Sequence, residues 1–170
     1  MASELPELIE CRQLAAGAGA LSGSLTAARL GRIDEPYRLA GDTYVELQCR
    51  SRDGGGFQIE GLIEAPLEVR CQRCLEWMAW PLKVTLGLAA FCKAPPSQDH
   101  NEEDSVELVD GMLPLREVVE DEVLLSCPFA PVHAPADCPA GENVLAAEVS
   151  SDRRQPFAGL ANLLKSREPE

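Results

Sequence analysis

The sequence predicts an α+β fold: a curved antiparallel β-sheet, open or barrel-like, with one main packed helix and a short C-terminal helix. Three observations predict it. Apolar and polar residues alternate over 43–64, the period of a half-buried strand. Apolar residues recur at helical spacing after Pro114, over about 114–126, and again over 156–164.

The clearest strand prediction is a hairpin over 43–64. Two alternating runs, 43–50 and 57–64, flank Asp53 and three glycines, a combination that favours a tight turn. Further alternation around 67–71 and 82–88 extends the predicted sheet from about 25 to 91. In this pattern Cys71 lies on the same face as Leu67 and Val69.

The main helix is predicted to begin at Pro114, because proline suits a first helical turn. Its apolar side is expected to face the sheet: Leu115, Val118, Val119 and Val123. Its acidic side is expected to face water: Glu117, Glu120 and Asp121. Together with Glu122, these carboxylates are candidates for metal or acid–base chemistry, but no histidine lies among them and a solvated helix face explains them better.

The chain of 170 residues suits one domain with appendages. Residues 1–24 are predicted to form an N-terminal segment, partly flexible, whose Gly, Ala and Ser content over 15–24 favours turns. Residues 25–130 are predicted to form the α+β core domain. Residues 131–170 contain a proline-rich loop and the short C-terminal helix.

The net charge of −13 lies mainly in the C-terminal half. Residues 1–94 contain 10 Lys/Arg and 12 Asp/Glu, whereas 95–170 contain 5 and 16. Since nucleic-acid binding depends on neutralising phosphates, direct RNA contact is expected only in the first half. A basic protein is the partner that this charge favours.

Seven cysteines at irregular spacing accompany no signal-peptide pattern and no apolar run of about 18 residues. The sequence therefore predicts a cytoplasmic protein without a membrane partner, in which thiols stay reduced. In that compartment, cysteine clusters are more often metal-binding or catalytic than disulfide-bonded.

Cys71 and Cys74 form a Cys-x-x-Cys motif at a predicted turn between antiparallel strands, as in a zinc knuckle. His133 and Cys138 are candidates to complete a Cys3His zinc site, with Cys127 as a spare. Two alternatives remain open at this point. One is a redox dithiol, although no helix pattern follows Cys74; the other is a set of ordinary packed thiols with a surface histidine.

Four arginines, Arg50, Arg52, Arg70 and Arg73, are candidates for a basic edge that contacts RNA or a partner. Such residues also protect an ordinary sheet edge against strand addition. No catalytic residue is predicted, because nothing in the sequence marks a Cys–His pair as activated.

Four motifs follow one another along the chain: Val-Arg-Cys-Gln-Arg-Cys (69–74), Val-Val-Glu-Asp-Glu-Val-Leu-Leu (118–125), Pro-Val-His (131–133) with Cys138, and Pro-Phe-Ala-Gly-Leu-Ala-Asn-Leu-Leu (156–164). In this order they resemble the YceD family, whose members are described as large ribosomal RNA subunit accumulation proteins. The resemblance covers roughly residues 25–166.

The resemblance implies a non-enzymatic cytoplasmic factor in ribosome biogenesis, which supports synthesis, processing or stability of large-subunit ribosomal RNA. Its expected partner is a pre-ribosomal large-subunit particle or a basic ribosomal or processing protein. Some family members have two cysteine pairs that look like a zinc site. Cys71 and Cys74 match the first pair, whereas His133 and Cys138 fall in the second region without repeating the motif. The alternative is a metal-binding thiol protein built on Cys71 and Cys74, either a structural-zinc adaptor or a redox or hydrolytic enzyme.

Overall fold

A computed structural model describes residues 3–17, 19–53, 55–92 and 104–140. The first compact unit, Met1–His133, contains these elements in chain order: β1 (Leu8–Glu10), α1 (Cys11–Ala16), β2 (Ala20–Leu25), a 3-10 turn (Ala27–Arg29), β3 (Tyr37–Leu39), β4 (Thr43–Ser51), β5 (Phe57–Arg70), β6 (Trp77–Phe91), β7 (Ser105–Glu107), β8 (Met112–Pro114) and α2 (Leu115–Leu125). The second unit, Ala134–Glu170, is described over 134–140, where Pro135–Asp137 form a 3-10 turn. The C-terminal helix predicted over 156–164 lies outside the described residues.

The main sheet is built around β5, the strand that leads into the Cys-x-x-Cys motif. On one side β5 pairs along its whole length with β6, antiparallel. Its other side is shared by β4, which pairs with residues 57–64, and by β3, which pairs with 67–69. The hairpin predicted over 43–64 is thus confirmed.

The sheet is open, so the barrel-like form of the prediction is wrong. Its strand order is β2-β4-β5-β6-β7, and in the described part of the chain the two outer strands do not pair with each other. Instead, the outer side of β2 binds the N-terminal segment through hydrogen bonds between Leu5 and Ser24 and between Ser24 and Ser3. At the opposite edge, β7 is parallel to β6, which makes the sheet mixed.

The core lies on one face of this sheet, as the alternating pattern requires. Ile59, Ile63, Leu67 and Val69 of β5 are all buried, and the same parity continues to Cys71, which has no exposed surface. The predicted apolar face of β6 is also found, since the side chains of its buried Val84, Leu86 and Leu88 recur at every second residue.

The helix α2 lies against β1, β5 and β6 and buries the side chains predicted to face the sheet. One expectation is wrong: Glu120 is buried rather than solvated. Its Oε1 accepts a hydrogen bond from the backbone N–H of Arg32 at 3.0 Å, while the Arg32 side chain pairs with Asp121. Residues near Arg32 therefore cover a second side of the helix.

Strand β2 begins at Ala20, inside the segment 15–24 whose composition favours turns. Gly23 explains the difference. A Cβ atom there would lie 2.2 Å from the Ser3 carbonyl oxygen, so only glycine lets the N-terminal segment approach β2 this closely. No helix among the described residues is long and apolar enough to span a membrane.

Candidate metal centre

Cys71 and Cys74 lie in the connection between β5 and β6, at the turn that the sequence predicts. The turn is closed by backbone hydrogen bonds from Cys71 N–H to the Glu76 carbonyl and from Leu75 N–H to the Cys71 carbonyl, both 2.9 Å. Leu75 has a left-handed backbone with φ of 63°. Strand β6 begins at Trp77, so Cys74 is not followed by the helix expected of a thioredoxin-type dithiol.

The loop after α2 brings His133 to this turn. The Tyr37 hydroxyl donates to the carbonyl oxygen of Pro128 at 3.1 Å. Farther along, the Gln72 backbone N–H donates to the carbonyl oxygen of Pro131 at 2.8 Å, and Pro131 is buried. These contacts hold the proline-rich segment against the Cys-x-x-Cys turn.

The sulfur of Cys71 accepts hydrogen bonds from both segments. The backbone N–H groups of Arg73 and His133 each donate to it at 3.4 Å. The Arg73 guanidinium also donates to the His133 carbonyl oxygen at 3.3 Å, which ties the turn to the loop a second time. Cys74 Sγ lies 3.3 Å from Nδ1 of His133.

This environment favours the thiolate of Cys71. Burial raises its pKa, but hydrogen bonds from the backbone N–H groups of Cys74, His133 and Arg73 outweigh burial and lower the pKa from 9.0 to about 5. A thiolate held by backbone donors is the form in which cysteine binds a metal ion.

The described residues include one group with the donor types of a metal site. Cys71, Cys74, His133 and Cys138 each offer one ligand atom, and these atoms lie within 4.8 Å of one another. Ligand atoms around tetrahedral zinc lie roughly 3.8 Å apart, given Zn–S bonds of about 2.3 Å. The group could therefore hold a metal ion.

Three other cysteines, Cys11, Cys49 and Cys127, pack in or against the hydrophobic core. Cys11 and Cys49 are both buried, and burial together with the neighbouring Cys49 raises the pKa of Cys11 to about 12. Burial also raises the pKa of Cys127, the spare ligand of the sequence prediction, and this residue is not a member of the Cys/His group. Such protonated thiols fit the packed-core alternative at these positions.

The structure separates the four arginines into two pairs. Arg50 is opposite Gln58 near the start of β5, whereas Arg70 ends that strand, about 40 Å farther along it at ~3.3 Å per residue. Arg50 lies 3.9 Å from Glu60, and Arg70 forms an ion pair with Glu35 at 3.0 Å. The four arginines therefore lie toward the two ends of β5 rather than together, and their contact with RNA or a partner stays a prediction.

The sequence did not predict the hydrogen bonds of Arg73 at the candidate metal centre. Arg73 was a candidate for RNA or partner contact, but its backbone donates to the Cys71 sulfur and its guanidinium to His133. The signal that could have indicated this role is the position of Arg73 between the two cysteines of the motif.

Comparison with known proteins supports the family resemblance of the sequence. The model of the family described as "Large ribosomal RNA subunit accumulation protein YceD" matches residues 59–164. A curated Haemophilus influenzae protein of the same description is 31% identical over 116 residues, which is 62% of this chain and 64% of that protein. The chain thus aligns with less than two thirds of this relative's length. No solved structure matches.

Proposed function

Because this chain belongs to the YceD family, we propose that it is a non-enzymatic cytoplasmic factor that supports synthesis, processing or stability of large-subunit ribosomal RNA. The observation that carries this proposal is the family match over residues 59–164, a range that includes most of β5, the Cys-x-x-Cys turn, α2 and the His133 loop. The Cys/His group is thus part of the region shared with the family.

Within this proposal, the Cys/His group holds one structural zinc ion. Three thiolates and one imidazole form a donor set typical of structural zinc, and four protein ligands leave no coordination position for a substrate. The ion would link the turn containing Cys71 and Cys74 to the loop containing His133. It serves to stabilise this end of the fold, in keeping with a protein that acts by binding.

The charge of the chain supports a basic partner. The net charge is −13, which favours a basic ribosomal or processing protein, free or within a pre-ribosomal large-subunit particle. Direct RNA contact is less favoured, since Arg50 and Arg70 have carboxylate neighbours and Arg38 forms an ion pair with Glu68 at 2.6 Å.

The test is the ratio of large- to small-subunit ribosomal RNA in cells that lack the protein. We expect the ratio to fall and to be restored by wild-type protein but not by Cys71→Ala/Cys74→Ala. Cys49→Ala is the control, because Cys49 is also buried but lies outside the Cys/His group. An unchanged ratio in the deletion strain would reject the function. Full rescue by the double variant would retain the function and reject a role for the metal site.

A second candidate is a thiol oxidoreductase, favoured only by the lowered pKa of Cys71. Its sulfur has no exposed surface, which prevents attack on a substrate disulfide. We therefore expect no disulfide-reductase activity above that of Cys71→Ala. Turnover of a disulfide substrate by wild type alone would support the enzyme instead.

A further inference from the structure

The edge of β6 that faces away from β5 is unpaired over most of its length within the described residues. On one side β6 pairs with β5 from end to end, but on the other side β7 covers only residues 89–91. In the part of the chain that the structure describes, no strand pairs with the preceding residues on that side. We call residues 77–87 the free edge. Unpaired backbone groups along such an edge are able to bind another strand.

The pairing with β7 shows which residues direct their backbone groups toward the free edge. The Ala89 N–H donates to the Asp104 carbonyl oxygen at 2.9 Å, and the Phe91 carbonyl oxygen accepts from the Leu108 N–H at 2.8 Å. These odd-numbered residues therefore direct their backbone away from β5. The β5–β6 register has no bulge, so the same holds at every second residue back along the strand. The backbone groups that reach the free edge belong to Trp77, Ala79, Pro81, Lys83, Thr85 and Gly87, with no N–H at Pro81.

Apolar side chains beside the free edge are incompletely covered. Trp80 is 37% exposed and Leu82 is half-buried, although both share the core-facing parity of the buried Val84 and Leu86. The core face of the sheet thus continues to the free edge with part of its apolar surface open. A strand added there would cover it if that strand also offers apolar side chains on the same face.

A second copy of the free edge meets this requirement. The free edge is centred on Leu82, so a two-fold axis beside Leu82 pairs it in antiparallel register with the same edge of another copy. The pairing ends where β7 begins, so the second copy does not compete with β7 for the backbone of β6. The residues that exchange hydrogen bonds are Trp77 with Gly87, Ala79 with Thr85, and Pro81 with Lys83.

Side chains are compatible on both faces in this register. The pairs on the core face are all apolar: Leu82 with Leu82, Trp80 with Val84, and Met78 with Leu86. On the outer face, the large Trp77 side chain lies opposite Gly87, where a Cβ atom would meet nothing within 4 Å. Cross-strand pairs of this kind stabilise a sheet when their shapes and charges match.

The charges along the free edge also permit self-pairing. Lys83 is the one charged residue within 77–87, and it forms an ion pair with Glu64 of its own chain. In the antiparallel register Lys83 faces Pro81 of the other copy, so no like charges meet. Proline and lysine on an edge hinder the addition of an arbitrary strand, which favours this register over others. The net charge of −13 repels a second copy at long range, but salt screens that repulsion.

We propose that two copies of this chain associate through the free edge, with their β6 strands antiparallel about a two-fold axis beside Leu82. The two sheets then form one continuous sheet, and the partly open side chains of Trp80 and Leu82 are covered by the other copy. This inference concerns self-association and does not depend on the proposed role in ribosomal RNA accumulation.

The test uses Ala79 and Thr85, which are exposed on the outer face and lie opposite each other across the proposed axis. Within one chain they are roughly 20 Å apart along β6, so they affect each other mainly between copies. Ala79→Glu/Thr85→Glu and Ala79→Lys/Thr85→Lys both place like charges opposite each other. Ala79→Lys/Thr85→Glu places opposite charges at the same positions and is the matched control.

Analytical ultracentrifugation of the full-length chain, in reductant at physiological salt, measures the dissociation constant of each variant, and circular dichroism checks that each is folded. We expect wild type to change from monomer to dimer as its concentration rises through the micromolar range. Both like-charge variants should associate about 10-fold more weakly, because the two-fold axis repeats the repulsion. The opposite-charge variant should associate about as strongly as wild type. The Lys/Lys variant separates local repulsion from net charge, since it makes the chain less negative.

Three results would overturn the inference. The first is a wild-type chain that stays monomeric up to about 100 μM, a concentration at which even a weak dimer is populated. The second is a dimer whose dissociation constant is the same in all the variants, because its interface then lies elsewhere. The third is a Lys/Lys variant that associates as strongly as wild type while the Glu/Glu variant does not, which would attribute the effect to net charge.

Discussion

Cys74 Sγ lies 3.3 Å from Nδ1 of His133, although 59 positions separate the two residues in the chain. One residue follows a strand of the main sheet, and the other follows helix α2. The contact therefore joins two elements that are far apart in sequence. A metal ion bound at this contact would stabilise their relative placement, because the ligand residues are far apart in the unfolded chain.

Loss of Cys71 is expected to abolish metal binding. Purified Cys71→Ala should contain less than about a tenth of the zinc in wild type and melt roughly 10 °C lower, since structural zinc contributes folding free energy directly. Metal analysis and thermal denaturation measure both effects. Cys49→Ala, also a buried cysteine variant, should lose some packing but keep its zinc. Equal zinc content in the two variants would contradict the assignment of the site.

Metal-free protein is expected to become more stable between pH 5 and pH 9. The pKa of Cys71 is lowered from 9.0 to about 5 in the folded protein. Its ionised form therefore stabilises the fold fully above pH 9, less as the pH falls, and not at all below about pH 5. Urea denaturation of chelator-treated wild type and Cys71→Ala at several pH values measures the difference.

The control for this pH dependence is Cys11→Ala. Burial raises the pKa of Cys11 from 9.0 to about 12, so below about pH 8 its thiol is protonated in both the folded and the unfolded protein, and its removal should leave the slope unchanged from pH 5 to about pH 8. If the free energy of unfolding has the same slope against pH in wild type and Cys71→Ala from pH 5 to pH 9, Cys71 is not a thiolate in the folded protein.

Glu120→Ala is expected to destabilise the protein by about 2–3 kcal/mol. The substitution leaves the backbone N–H of Arg32 without its side-chain acceptor at a partly buried contact. Glu120→Gln keeps an oxygen acceptor and should lose less. Glu117→Ala, exposed on the same helix, should change the free energy of unfolding by no more than about 0.5 kcal/mol in denaturant titrations. Similar losses for the Glu117 and Glu120 variants would refute this structural role.

Two glycines of the sheet are expected to respond oppositely to alanine. A Cβ at Gly61 would lie 2.1 Å from the Glu46 carbonyl oxygen, so Gly61→Ala must shift the backbone of β4 or β5, at a cost of about 2 kcal/mol. A Cβ at Gly87 meets nothing within 4 Å, and Gly87→Ala should raise stability by about 0.5 kcal/mol. Thermal denaturation of both variants checks the pair, and a destabilised Gly87→Ala would be inconsistent with the open space found there.

The sequence could predict the strands and the face that each side chain occupies, because side chains in a strand alternate between the two faces of the sheet with a period of two residues. Alternation over β4 and β5 predicted the hairpin, and its continuation predicted that Cys71 faces the interior. The same reasoning failed for Glu120, because a helical pattern separates apolar from polar residues but does not show which other segment covers the polar side. Here the segment around Arg32, 88 positions away, covers it.

The candidate centre was partly predictable in the same way. A Cys-x-x-Cys motif between two alternating runs indicates two ligands on one turn, and the sequence alone determined this half of the site. Residue types also determined the net charge of −13.

Only the tertiary structure decided the rest. It placed His133 against the Cys71–Cys74 turn through the Gln72–Pro131 hydrogen bond, and it separated Arg50 from Arg70 by the length of β5. The physical reason is the same in both cases. Contacts within a turn or along one strand are set by neighbouring backbone angles, whereas contacts between distant segments depend on how whole elements pack, and no short sequence pattern records that packing.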